Sequence, residues 1–163
     1  MYRGEENVVK NKKQVGKALG RVASGLFVVT AKCEDKEDAV LASWVNQCSF
    51  DPPAVTIALG VMRAARLLVE GSGAFIVNVL PKDDMTLLKH FSRPPEDIFK
   101  GVKTRKGLEG IRILSDAVSY LECEVVQAIQ SGDHVLYVGE IVGGKTLKGG
   151  DPYTHVRDNG FNY

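Results

Sequence analysis

Two groups of residues in this sequence could carry chemistry. The first is the run LASWVNQCS, Leu41 to Ser49, where the only Trp of the chain stands among Ser43, Asn46, Gln47, Cys48 and Ser49. Alternation along an extended strand puts Ser43, Gln47 and Ser49 on one face. The edge of such a strand adds a row of backbone donors and acceptors suited to the rim of a planar heterocycle. The second group is Arg63 and Arg66 in MRAARLL, at the start of a helical pattern. A helix N-terminus with two guanidiniums combines free N–H groups, the helix dipole and fork-shaped donors, which is the chemistry of a phosphate site. A ring edge with a single phosphate describes a mononucleotide, and flavin mononucleotide (FMN) fits it better than FAD. Taken singly, the same residues also read as solvated arginines, outward strand positions and a core Trp, so both readings stand at this point.

Conventional catalytic groupings are missing from the sequence. It holds no GxSxG elbow, Walker A loop or HExxH pair. Gly71 and Gly73 follow a helix and precede a strand, the reverse of the dinucleotide fingerprint, and read as a helix cap and turn. Adjacent carboxylates occur in loops such as EDKED. Cys33, Cys48 and Cys123 form no CxxC pair and read as small buried hydrophobes. His90, His134 and His155 are scattered without metal-site spacing.

The elements that must position these residues follow from periodicity. Val15, Ala18, Leu19 and Val22 recur at helical spacing and predict an amphipathic helix with that stripe inward. GLFVVTAKC predicts a strand, EDKEDA a charged hairpin loop, AVLASWVNQCSF one continuous strand, and AVTIALG another after the bend at Pro52 and Pro53. VMRAARLLVEGSG predicts a helix with Ala64, Leu67 and Leu68 inward, ended by the glycines. AFIVNVL is a buried strand, and Met85, Leu88 and Phe91 continue at helical spacing behind Asp83 and Asp84. The stretch 93–110 reads as an irregular, mobile excursion able to gate access to a site. SYLECEVVQAIQ alternates and then slips phase at Val126, as a bulge would, and pairs with HVLYVGEIVGGKTL across SGD. Six or seven such strands with two or three short helices predict a mainly β fold, a split antiparallel Greek-key barrel.

The chain has 163 residues, 44% hydrophobic and 25% charged, with a formal charge of +1. Those values fit one globular domain over 1–163 and argue against a nucleic-acid or membrane partner. The polar start lacks a signal-peptide core, and the unpaired cysteines point to a reducing, cytoplasmic setting.

The order of the motifs adds a resemblance. RVASGLFVVTA, LASWVNQCSFDPPAVTIAL, SGAFIVNVL, KHFS, SYLECEV and SGDHVLYVGEI occur in sequence between about Lys17 and Val142, and the chain resembles the flavin reductase-like family of FMN-binding split barrels, closest to its flavoredoxin branch. The resemblance implies a homodimer with one FMN per subunit near the dimer interface. It implies that Ala42, Ser43, Trp44 and Val45 border the isoalloxazine ring, and that Gln47, Cys48 and Ser49 continue along the ring and ribityl chain. Arg63 and Arg66 would take the phosphate, and Asn78, Val79 and Leu80 would approach the pyrimidine side. Phe91 and Ser92 would close the pocket, and His134 would stand on the nicotinamide or acceptor side. The implied activity is hydride transfer from NAD(P)H to the flavin, then electron transfer to free flavin, ferric chelate or a protein acceptor. Its alternatives are a non-enzymatic FMN electron carrier reduced by a partner protein, and a flavin-free interaction module.

Overall fold

The computed structural model describes residues 9–162; the polar leader 1–8, and the residue that completes the expected 1–163 span, lie outside them. In chain order the elements are α1 (Lys12–Gly20), β1 (Ser24–Gly25), β2 (Phe27–Cys33), β3 (Lys36–Ala42), β4 (Val45–Phe50), β5 (Pro53–Gly60), α2 (Ala64–Ser72), β6 (Ala74–Val79), α3 (Thr86–Ser92), β7 (Thr104–Lys106), a 3-10 turn (Leu108–Gly110), β8 (Arg112–Leu114), β9 (Ser119–Ser131), β10 (His134–Thr146) and β11 (Thr154–His155). Seven strands form one antiparallel sheet in the order β3-β2-β6-β9-β10-β5-β4. This is the mainly β split barrel expected from the sequence, with three α-helices among the described residues.

The strands at the two ends of that order, β3 and β4, are consecutive in the chain. Ala42 is the last residue of β3 paired to β2 (with Phe27), and Val45 is the first of β4 paired to β5 (with Ile57). AVLASWVNQCSF is therefore two strands, not one. Ser43 and Trp44 carry the chain between opposite edges, because Ala42 and Val45, three positions apart, both enter the interior cluster with Ile57, Phe75 and Tyr137. The hairpin before it is also tighter than EDKEDA implies. Glu34, in left-handed conformation at φ 53°, and Asp35 make the whole turn, and the charged residues from Lys36 already belong to β3.

The phase slip at Val126 is real: Val125 faces Gly139 and Gln127 faces Val138, leaving Val126 as the extra residue. Gly132, with φ 60°, turns β9 into β10 in two residues. Asn46 and Gln47 pair with Thr56 and Val55, and Cys48 is a second bulge before Ser49 meets Ala54. That insertion, added to the break at Ser43–Trp44, removes the single polar face expected for Ser43, Gln47 and Ser49. Cys123 is buried, but Cys33 is half-buried and Cys48 exposed, so two of the three cysteines are not the buried hydrophobes expected.

Both predicted helix faces shift. α1 buries Gly16 and Gly20, while Ala18, Leu19 and Val22 are exposed. A Cβ at Gly20 would stand 2.1 Å from the Arg157 carbonyl oxygen, so the C-terminal tail docks on backbone where hydropathy sees nothing. α2 turns Ala65 and Val69 inward, leaving Ala64 and Leu67 exposed; Gly73 ends it in left-handed conformation at φ 68°. On α3, Leu87 and Phe91 are buried, and Asp84 accepts the Thr86 N–H at 2.9 Å. The stretch 93–110 holds its own short strand, and Ile98, Phe99 and Val102 pack into the cluster under α3.

Candidate functional site

A cleft of about 600 Å³ opens along β3, an end strand of the sheet order. Its long wall is Ala39 to Ser43. β3 ends the sheet order, so its outward backbone groups have no ladder partner there and present a row of donors and acceptors. The facing wall is the corner from Ala58 through Gly60, Val61 and Met62 to Arg63, where β5 ends and α2 begins. Phe91, Ser92 and Pro94, at the end of α3, close one side, and Asp133 and His134, from the β9–β10 turn, close another.

Six of the expected site residues therefore converge: Ala42, Ser43, Arg63, Phe91, Ser92 and His134. Ser43 is buried to 2% exposure. Arg63 is the N-cap residue of α2, whose first turn receives no side-chain cap; the Arg66 N–H donates to the Arg63 carbonyl at 3.1 Å, and a helix start of this kind favours an anion. The His134 Nδ1 lies 2.7 Å from the Asp133 carboxylate, and this bond holds Asp133 below the ordinary carboxylate range. With Nδ1 so engaged, Nε2 is the nitrogen turned toward Gly60 and the cleft. Trp44 lies just behind, its ring centroid 4.6 Å from that of His134, and the Arg157 guanidinium stands over the Trp44 ring, 5.5 Å from its centroid, in a cation–π contact.

The remaining expected residues lie elsewhere. Val45 is buried in the barrel interior. Gln47, Cys48 and Ser49 sit on β4 beyond the strand break; Gln47 and Cys48 are exposed, and Gln47 donates to the Ser49 carbonyl at 3.2 Å. Val79 pairs with Phe27 and Ser119, and Leu80 is buried beneath α3. Asn78, fully buried behind β6, donates to the Val28 carbonyl at 3.0 Å and accepts the Leu114 N–H at 2.8 Å. Arg66 is outside the cleft lining. Its Nε donates to the Val61 carbonyl at 3.0 Å and its Nη1 to Glu70 at 2.7 Å.

Sequence reasoning missed the part of the site made by backbone. Ala39, Val40 and Leu41 look like ordinary strand residues, and they line the cleft because their strand is an edge. Gly60 to Met62 could have been found as the strand-to-helix junction ahead of Arg63.

The donor set fits a phosphorylated flavin. The volume lies within the range of roughly 300–1,000 Å³ usual for cofactor sites. One wall offers polar backbone groups to a ring edge, and the opposite end offers a cation and a helix start to a phosphate. Among the described residues no group of three or more His, Cys, Asp or Glu could hold a metal ion, and no helix is long and apolar enough to cross a membrane.

Comparison with known proteins bears on this site. A model of the flavin reductase like domain matches residues 19–162. Diflavin flavoprotein A 1 of Synechocystis sp. is 39% identical over 136 residues, which is 81% of this chain and 24% of that protein. The chain spans about a quarter of the length of the curated relatives it matches. The NADH:FAD oxidoreductase of Streptomyces globisporus C-1027 superposes with a TM-score of 0.80 at 25% identity, covering 90% of each chain. The flavin reductase HpaC, solved with NADP+, superposes with a TM-score of 0.77 at 25% identity, over 85% of this chain and 89% of that one.

Proposed function

Since the chain belongs to the flavin reductase-like family, we propose that its cleft binds FMN and serves transfer of a hydride from NAD(P)H to that flavin, with electrons passing on to free flavin, a ferric chelate or a protein acceptor. One observation carries the reading: the β3 edge, the Arg63 corner and His134 converge on one cleft. Bound FMN supplies the redox chemistry, which is why a protein nucleophile is not required. The chain's own residues bind and orient. Backbone groups of Ala39 to Ser43 would meet the ring edge as hydrogen-bond partners. Arg63 and the open first turn of α2 hold the phosphate. Phe91 excludes water from one side. His134, its Nδ1 fixed by Asp133, presents Nε2 toward the face where a nicotinamide would stack.

The names of the curated relatives declare two flavins, and this segment, on our reading, corresponds to one of those flavin sites. That context supports the carrier alternative, in which a partner protein reduces the FMN. Anaerobic addition of NADH or NADPH to FMN-loaded protein separates the two. Loss of the blue flavin absorbance within seconds supports the reductase, whereas an unchanged spectrum until a partner protein is added supports the carrier. Protein that takes up no FMN refutes both and leaves the interaction module.

The homodimer belongs to the same proposal. On the outer face of the sheet Ala58, Leu136 and Ile129 form one cross-strand row, with Ile129 44% exposed. Ala58 also lines the cleft, so a second copy on that face would stand beside the flavin.

A further inference from the structure

We propose that Arg66, Glu70 and Tyr137 form a positioning brace for the phosphate end of the cleft, with Arg66 acting through the Val61 peptide and not as a phosphate ligand. The inference rests on the FMN reading above and deepens it.

The chain of contacts begins inside the barrel. Tyr137 is fully buried among Val29, Ile57 and Phe75, where a Phe would pack equally well. Its hydroxyl donates to Glu70 Oε1 at 2.6 Å, on α2. The same oxygen accepts Arg66 Nη1 at 2.7 Å, and Arg66 Nε reaches back to the Val61 carbonyl at 3.0 Å. Val61 is also held from the other side, its N–H donating to the Asp133 carbonyl at 2.9 Å. The residue at the middle of the cleft corner is thus tied to α2, to the barrel interior through Tyr137, and to the turn that carries His134.

Geometry gives the tie its effect. In a trans peptide the C=O and the following N–H point in opposite directions. Drawing the Val61 carbonyl toward Arg66 turns the Met62 N–H the other way, and Val61, Met62 and Arg63 all line the cleft. The guanidinium fork is required, since one donor holds Glu70 while another holds Val61; an ammonium group cannot span both with the same planar geometry. Charge supports the arrangement. The Tyr137 hydrogen bond, followed by the Arg66 bond, holds the Glu70 carboxyl below its ordinary range, while burial pushes the Tyr137 hydroxyl up to about 12. The acceptor therefore stays ionised, and the donor stays protonated, across neutral pH. An exposed i, i+4 pair serving the helix alone would contribute little and would leave the corner unaffected.

The test compares dissociation constants for FMN and for riboflavin, which lacks the phosphate, by fluorescence titration of the whole chain. The variants are Arg66→Lys, Glu70→Ala and Tyr137→Phe. FMN binding is expected to weaken about tenfold in Arg66→Lys and Glu70→Ala, and about threefold in Tyr137→Phe, with riboflavin binding within about twofold of wild type. Should Glu70→Ala fail to fold, Tyr137→Phe and Arg66→Lys preserve packing volume and still decide the question. Retention of wild-type FMN affinity by Arg66→Lys overturns the brace in favour of a simple charge effect. Equal weakening of FMN and riboflavin overturns it in favour of a general loss of structure. If the wild-type chain itself binds FMN no better than riboflavin, the phosphate reading of the cleft fails, whatever the variants do.

Discussion

Asn78 and Arg63 were both expected at the flavin, yet Arg63 lines the cleft and Asn78 does not. Behind β6, Asn78 is enclosed and every polar atom of its amide is engaged: it joins β2 to β8 through the Val28 carbonyl, the Thr30 hydroxyl at 3.3 Å and the Leu114 N–H. At the cleft, Arg63 caps nothing with its side chain and stands at a helix start whose N–H groups lack a side-chain partner. Polarity that the fold satisfies internally serves stability, and polarity held toward a cavity serves a ligand. Amino-acid type does not separate the two; hydrogen-bond partners do.

Asn78→Ala tests the first half of that contrast most severely. It strands the Leu114 N–H and the Val28 carbonyl in the interior, at a cost of roughly 3 kcal/mol, or a fall in Tm of roughly 10 °C. The FMN dissociation constant of the folded protein stays within about twofold. A tenfold loss of FMN affinity at unchanged Tm would return Asn78 to the site. Arg63→Ala is the mirror experiment. FMN binding weakens by about ten- to a hundredfold while riboflavin binding and Tm hold; equilibrium dialysis with both ligands reads this, and unchanged FMN affinity removes the phosphate assignment.

A smaller effect is expected from the outer face. Ile129→Glu places a charge in the apolar row with Leu136 and Ala58, and sedimentation velocity should show the variant shifted toward monomer relative to the proposed dimer, with Tm of the subunit little changed. A wild-type chain that sediments as a monomer refutes the proposed assembly directly. The smallest effect belongs to Asp84, half-buried and engaged. The Thr86 hydrogen bonds hold its carboxyl below the ordinary value of 3.8. Because the folded-state pKa is depressed, its contribution is fully present above that value and is lost as pH falls through the folded-state pKa. The Tm difference between wild type and Asp84→Asn should be constant near neutrality and shrink in acid below pH 3.8. A difference that grows on acidification would contradict the bond.

The same contrast explains what the sequence disclosed. Val126 was legible because a bulge leaves a visible slip in a two-residue period, and the two-residue turn at Gly132 because its signal is local. The division of LASWVNQCSF was not, since no Gly or Pro marks Ser43 or Trp44; the break exists only because Ala42 and Val45 must enter the same interior cluster. The face of α1 was misassigned because its contacts are close approaches at Gly16 and Gly20, which hydropathy does not register; on α2 Leu68 packs on the core as expected, but Ala65 and Val69 face inward in place of Ala64 and Leu67. Of the expected residues, Ala42, Ser43, Arg63, Phe91, Ser92 and His134 line the cleft, and the wall of Ala39 to Leu41 was invisible until the sheet order was known.

That order also has a mechanical consequence. Between β3 and β4 the circumference is spanned by two covalently linked residues, Ser43 and Trp44, and not by a continuous ladder; the Ala58 N–H, donating to the Trp44 carbonyl at 3.1 Å, is a backbone bond that ties this span to β5. The wall proposed for the ring thus belongs to the one arc of the seven-stranded order where width is set by a two-residue link and not by paired strands.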